Sequence, residues 1–296
     1  MTALFSKALG LLVLFSQLIW IAGISAQTKE AVEHELREGV TYKVVGGQSL
    51  LVDIYIPKLD TKCPAVLVVH GGAWKEGDRK QLAAYAKELS SRGFCCFAIS
   101  YRLAPKHKFP TQIDDCRAAV KWVRENANKY NVDGNRIGAI GYSAGGHLAS
   151  LLATTGESPT EENGNVDSRL QAVVAGGAPT DFRWMPDNGE WARYWMGGNL
   201  SEVPEKFELA STAAFIDADD PPFFFFHGKN DSIVPLFWAS GCHLALKHSG
   251  VRSTMRTING AGHIKAAFDK DALSEAFDFL ETELKTKLAE PQGLTK

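Results

Sequence analysis

The chain has 296 residues, 45% of them hydrophobic and 22% charged, with a formal net charge of −2. That is the composition of a globular chain with a large core, long enough for one α/β domain. There is no basic stripe for nucleic acid, no acidic tract of the disordered kind and no internal repeat at a fixed period.

The first segment, SKALGLLVLFSQLIWIAGISAQ, has one cation, Lys7, then an apolar stretch, then the small residues Ser25 and Ala26. It reads as a signal peptide over residues 1–26, which predicts a secreted or periplasmic protein with no obligate membrane partner. The apolar stretch is nearly long enough to span a bilayer, so a retained N-terminal membrane anchor is the alternative. The polar run QTKEAVEHELREG then separates this segment from the first strand, and the main folded domain is expected over 27–296.

TYKVVGGQSLLVDIYIP predicts an antiparallel hairpin turned at Gly46 and Gly47. PAVLVVH is a continuous apolar run, as in a strand covered on both faces. Asp78 is placed to cap a helix running to Gly93, with Leu82, Tyr85, Ala86 and Leu89 on one stripe. FCCFAIS is the next buried strand, and Pro110 opens a helix with Ile113, Cys116, Val120 and Val123 on one face. IGAIGY, LQAVVAGGAP, PPFFFFHG and VRSTMRTI read as further strands. Helices follow over GGHLASLLA, VPLFWASGCHLALKHSG and the last stripe, Leu273 to Leu284. Residues 181–206, with Trp184, Trp191, Tyr194 and Trp195, are expected to be an irregular insert near the pocket. Its aromatic residues suit either a pocket wall or anchors into the core. Buried strands alternating with amphipathic helices predict an α/β fold with a mostly parallel twisted sheet.

Five cysteines, Cys63, Cys95, Cys96, Cys116 and Cys242, are odd in number and not spaced as a framework. Neighbours such as Cys95 and Cys96 point to opposite faces of a strand, so the cysteines read as small buried apolar side chains without a required disulfide. No CxxC or histidine cluster has metal-ligand spacing, so no metal and no cofactor is expected.

In such sheets functional groups gather at the C-terminal strand ends. Ser143 lies in GYSAGGHLAS, where a strand turns directly into a helix and Gly141 and Gly145 remove collisions at the crossing. The turn would lift the hydroxyl above the sheet at a helix N-terminus. HGGAWKEGD follows another strand, and its glycines let backbone N–H groups approach a ligand closely. Asp231 follows the FFFF strand and is placed to orient a histidine. Asp181 is the rival acid, although its loop comes early for the usual order of partners. His263, in INGAGHIK, is free to reach inward, whereas His70, His147 and His227 read as structural. The order Ser, Asp, His on successive strand ends predicts a nucleophile, Ser143, deprotonated by His263, with Asp231 orienting the ring. N–H groups from the HGGAW loop and Ala144 would stabilise an oxyanion.

HGGAW, SYRLAP, GYSAGGHLAS, GKNDSIVP and GAGH together resemble the α/β-hydrolase fold. Within it, the chain looks most like the esterase/lipase branch related to hormone-sensitive lipase, and there like secreted bifunctional feruloyl and acetyl-xylan esterase domains. The resemblance runs from about Tyr42 to the end. It implies a single α/β-hydrolase domain with helices on both faces, a catalytic Ser143, Asp231 and His263, and an oxyanion hole of the N–H groups of Gly72, Ala73 and Ala144. Ala73 stands where many relatives have a third glycine, and its N–H is retained. The implied activity is serine carboxylesterase action on short-chain or aryl esters, acetyl or feruloyl groups on polysaccharide among them, so the expected partner is a small-molecule or carbohydrate ester. The N-terminal cap of many relatives looks reduced, which argues against a lipid-binding lid. The alternatives are an arylformamidase or peptidase with the same triad, and a non-catalytic binding protein on the same fold.

Overall fold

The computed structural model describes residues 31–158, 167–184 and 190–286. The expected signal peptide, residues 1–26, lies outside them. From Val32 onward the chain forms one compact unit.

Eight strands make one sheet: β1 His34–Val45, β2 Gln48–Pro57, β3 Cys63–Val69, β4 Cys95–Ile99, β5 Val132–Tyr142, β6 Ala172–Gly176, β7 Phe223–Gly228 and β8 Ser253–Ile258. Their order is β1-β2-β4-β3-β5-β6-β7-β8. β1, β2 and β4 pair antiparallel, and every pairing from β4 to β8 is parallel. The continuous apolar runs of β3, β4, β6 and β7 are buried at every position, because helices cover both faces. The α-helices are α1 Ala83–Ser91, α2 Thr111–Glu125, α3 Ala144–Thr154, α4 Glu190–Trp195, α5 Pro204–Leu209, α6 Phe237–His248, α7 His263–Ala266 and α8 Lys270–Glu281.

Alternation along each strand divides the core in two. Leu67, Val69, Phe97 and Phe225 pack with residues of α2, α3 and α6 on one face. Val66, Val68, Cys96 and Phe226 pack with residues of α1 and α8 on the other. All five cysteines are buried and unbridged.

The hairpin turns at Gly46 and Gly47, both at positive φ (56° and 78°). Two successive positive φ values define the tight hairpin turn whose twist matches its strands. The structure differs from the sequence reading at two boundaries. β1 begins at His34, inside the run taken as a polar spacer. That end is an edge strand, exposed along most of its length, so it lacks the alternation that would mark it. Helix α1 begins at Ala83 rather than near Asp78. Asp78 instead accepts the Lys80 N–H at 2.8 Å and closes a local turn. Gly93, at φ +88°, follows the helix end as expected.

Candidate active site

The sharp turn after β5 is built from close approaches. A Cβ on Gly141 would stand 2.2 Å from the Gly145 carbonyl oxygen, and one on Gly145 would stand 2.0 Å from that of Val69. Only glycine lets α3 cross so near to β3 and β5. Between them Ser143 holds φ 57° and ψ −123°, a conformation that is costly for a residue with a side chain. Its N–H donates to the Gly176 carbonyl at 2.8 Å, which fixes the corner against β6.

The Ser143 hydroxyl lies 2.9 Å from His263 Nε2, and His263 Nδ1 lies 2.6 Å from Asp231 Oδ2. A carboxylate only accepts, so Nδ1 carries the proton and Nε2 is left as the acceptor toward serine. Asp231 Oδ1 accepts the N–H groups of Ile233 and Val234 at 3.0 and 2.8 Å, so the carboxylate has one orientation. His263 opens α7 and is held from behind by Tyr142, whose hydroxyl donates to its carbonyl and whose ring lies 5.2 Å away. Sequence reasoning did not find Tyr142, since a tyrosine ending a buried strand has no distinguishing signal.

The other acids and histidines have other partners. Asp181 accepts from Arg183 Nε and Nη2 at 2.9 and 2.7 Å and has no bond to His263. Burial alone would raise its pKa, but the Arg183 hydrogen bonds and charge hold it below the usual range. His227 Nε2 donates to the Val234 carbonyl at 2.7 Å and lies 3.3 Å from Asp231 Oδ2; burial lowers its pKa, so it stands neutral beside the acid. His70 donates to the Gly71 carbonyl at 2.8 Å and stacks on Tyr101 at 4.2 Å. Burial takes its pKa down to about 4.

On the other side of Ser143 the loop after β3 runs through Gly72, Ala73 and Trp74 at φ +103°, +49° and +60°. A Cβ on Gly72 would collide with the Glu76 carbonyl at 2.1 Å. The Gly72 carbonyl accepts from Lys75 and Glu76 at 3.0 and 3.1 Å. Among the described residues, the N–H groups of Gly72 and Ala73 have no acceptor. Ala144, first in α3, has none within its helix by position. Gly72 and Ala73 are half-buried and border the cavity at Ser143, so their free donors suit an incoming oxygen.

Two cavities meet at Ser143. One, about 320 Å³, is lined by Gly72, Glu76, Gln81, His263, Ile264 and Phe268 among others. The second, about 220 Å³, is walled by Trp74, Ala144, Phe182, Tyr194, Val234 and Trp238. Ala73, Ser143 and Ile233 border both. The aromatic segment therefore divides between the two expected uses. Phe182 and Tyr194 line the smaller cavity, Trp195 is fully buried and stacks on Trp74 at 3.6 Å, and Trp184 is 82% exposed. The segment is also less irregular than expected, since α4 and the start of α5 lie in it. Residues 185–189 lie outside the described residues. No group of metal-binding residues occurs among the described residues, and no described helix is long and apolar enough to cross a membrane.

The BD-FAE family pattern matches residues 52–259, well over half of the chain. The chain belongs to the BD-FAE family. A curated relative of this BD-FAE chain, "Esterase LipC" of Mycobacterium tuberculosis, is 33% identical over 198 residues, 63% of this chain and 49% of that protein. The chain spans about half the length of the curated relatives it matches first. Among solved structures, a truncated carbohydrate esterase from gut microbiota is similar with a TM-score of 0.76 and 27% identity, over 86% of this chain and 98% of that one. The Thermogutta terrifontis esterase Est2 with bound butyrate is similar with a TM-score of 0.71 and 25% identity, over 86% and 96%. The BD-FAE chain thus has the α/β-hydrolase fold that the sequence resemblance implied.

Proposed function

We propose that this chain is a serine carboxylic ester hydrolase that works through an acyl-enzyme on short-chain esters of bulkier alcohols. The observation that carries the reading is the continuous chain of contacts from Asp231 through His263 to Ser143, at 2.6 and 2.9 Å, beside unpaired amides. Ser143 attacks the ester carbonyl while His263 Nε2 takes its proton, and Asp231 stabilises the resulting imidazolium. The N–H groups of Gly72, Ala73 and Ala144 receive the negative oxygen. His263 then protonates the leaving alcohol, and water, activated the same way, releases the acid.

Because His263 must reach the leaving oxygen, the alcohol lies in the 320 Å³ cleft that His263 lines. The acyl group then enters the 220 Å³ aromatic cavity. That volume is below the roughly 300–1,000 Å³ of sites for drug-sized ligands, which favours acetyl to butyryl groups. On the alcohol side, exposed Phe268 and Ile264 beside Glu76 and Gln81 suit a sugar ring or aryl alcohol. The carbohydrate-esterase and butyrate-bound neighbours support both halves of this reading, and the N-terminal sequence supports export.

The test is a series of p-nitrophenyl esters of rising chain length beside acetylated xylan, methyl ferulate and N-formylkynurenine. Acetate or butyrate should give the highest kcat/KM, and Ser143→Ala should abolish turnover. A preference for palmitate would refute the acyl assignment, and faster cleavage of N-formylkynurenine than of any ester would make the chain an amide hydrolase.

A further inference from the structure

Three consecutive residues of the donor loop, Gly72, Ala73 and Trp74, sit at positive φ. Such a conformation is costly for a residue with a side chain, and it persists only where the surroundings over-determine it. The backbone contributes two ties: Ala104 donates to the Trp74 carbonyl at 2.9 Å, and the Tyr194 hydroxyl donates to the Ala73 carbonyl at 3.1 Å. A further polar tie is the Trp74 indole N–H, which lies 3.1 Å from His147 Nδ1.

His147 stands four residues after Ser143, on the same helix, and is fully buried. Its Nε2 lies 2.7 Å from the Ala210 carbonyl. A carbonyl only accepts and an indole N–H only donates, so the ring has one consistent state: neutral, proton on Nε2, bare Nδ1 toward Trp74. Burial agrees, taking the pKa of His147 down to about 4. The ring also meets Trp74 edge-on at 5.4 Å, so the indole has little room to turn. We propose that His147 is a positioning residue for the oxyanion site: by accepting the Trp74 indole proton it ties the loop bearing the Gly72 and Ala73 amides to the helix bearing Ser143 and Ala144. The two halves of the site then move as one body, although they come from different strand ends.

The proposal rests on the ester-hydrolase reading, and its variants separate the two bonds of the ring. In His147→Asn the amide oxygen falls where Nδ1 stands and keeps the bond to Trp74. In His147→Gln the amide nitrogen falls where Nε2 stands and keeps only the bond to Ala210. His147→Phe keeps neither. With p-nitrophenyl acetate, the Gln and Phe variants should lose about 10- to 100-fold in kcat with KM little changed, less than the ~10²–10³ for deleting a donor outright. The Asn variant should retain most of kcat. Inhibition by a trifluoromethyl ketone, which forms an oxyanion on serine, should weaken in Gln and Phe by the factor that kcat/KM falls. Wild-type kcat in folded Gln or Phe variants would overturn the proposal, as would an Asn variant that falls as far as Gln, or ketone affinity unchanged while kcat drops. Trp74→Phe removes the donor from the other end and decides the matter if no His147 variant folds: it should show the same kcat loss, and wild-type kcat there would overturn the tie. An active Ser143→Ala enzyme would instead sink the ester-hydrolase reading itself.

Discussion

Asp231 divides its two oxygens between two tasks. Oδ1 takes the amides of Ile233 and Val234, and Oδ2 takes the His263 ring at 2.6 Å. An asparagine at this place would put an amide nitrogen against either the backbone donors or Nδ1–H, and the ring would settle in the wrong tautomer. Asp231→Asn should therefore lower kcat by on the order of 10³–10⁴ with the fold intact. Asp181→Asn should be far milder for kcat, because it only weakens a pair with Arg183. Steady-state kinetics on both variants decide the assignment: an Asp181→Asn loss exceeding that of Asp231→Asn would transfer the role of acid to Asp181. The structure brings together Ser143, Asp231 and His263, which the sequence singled out because each stands just past a buried strand beside glycine or small residues. Tyr142 was not legible there, and neither were the bonds that Trp74 and Tyr194 make. Their partners lie 73 to 121 positions away, and no local pattern encodes a contact of that separation.

The elements most legible were those buried on both sides, since continuous apolar runs of five to seven residues exclude an exposed strand. The outer half of β1 and the start of α1 were not, because solvent faces them and patterning weakens. What positions the serine is the crossing of β5 into α3, and that crossing depends on missing side chains rather than on present ones. Gly145→Ala would push a methyl group within 2.0 Å of the Val69 carbonyl oxygen and 2.5 Å of that of His70. Both obstacles are backbone, so neither can rotate away. The variant should lose about 3 kcal/mol, the upper end of overpacking costs, and activity should fall with it as α3 shifts from the loop after β3. Gly241→Ala is the matching control. It lies inside α6, and a Cβ there meets nothing within 4 Å, so it should gain up to about 1 kcal/mol through helix propensity. Urea unfolding reads both; a Gly145→Ala variant as stable as the parent would mean that the crossing is looser than its distances imply.

For the molecule as a whole, buried histidine rings set the response to acid, His70 and His147 most strongly, with His227 acting in the same sense. Burial takes His70 and His147 to about 4 in the fold, against ~6.5 in an unfolded chain. The unfolded chain therefore binds protons that the fold refuses. Each ring's contribution is present in full above pH ~6.5 and is lost as pH falls from there to about 4, on the order of 3 kcal/mol apiece. Asp220 acts in the opposite sense. Burial raises its pKa to about 6, so the fold takes up a proton there before the unfolded chain does, and acid relieves the cost of its charge. It is half-buried, so water discounts that relief below what one ring loses. Asp133 and Asp167 enter only further down: burial would raise their pKa values, but their hydrogen bonds, those from Arg136 and Arg169 among them, hold them low. The urea-unfolding midpoint should thus fall steadily between pH 6.5 and 4, ahead of the carboxylates. Replacing His147 by asparagine should make that slope shallower, since one of the refused protons is gone. A midpoint that stayed level from pH 7 to 4.5 would mean that the fold accommodates both charged rings, and the neutral, single-tautomer state of His147 would have to be given up with it.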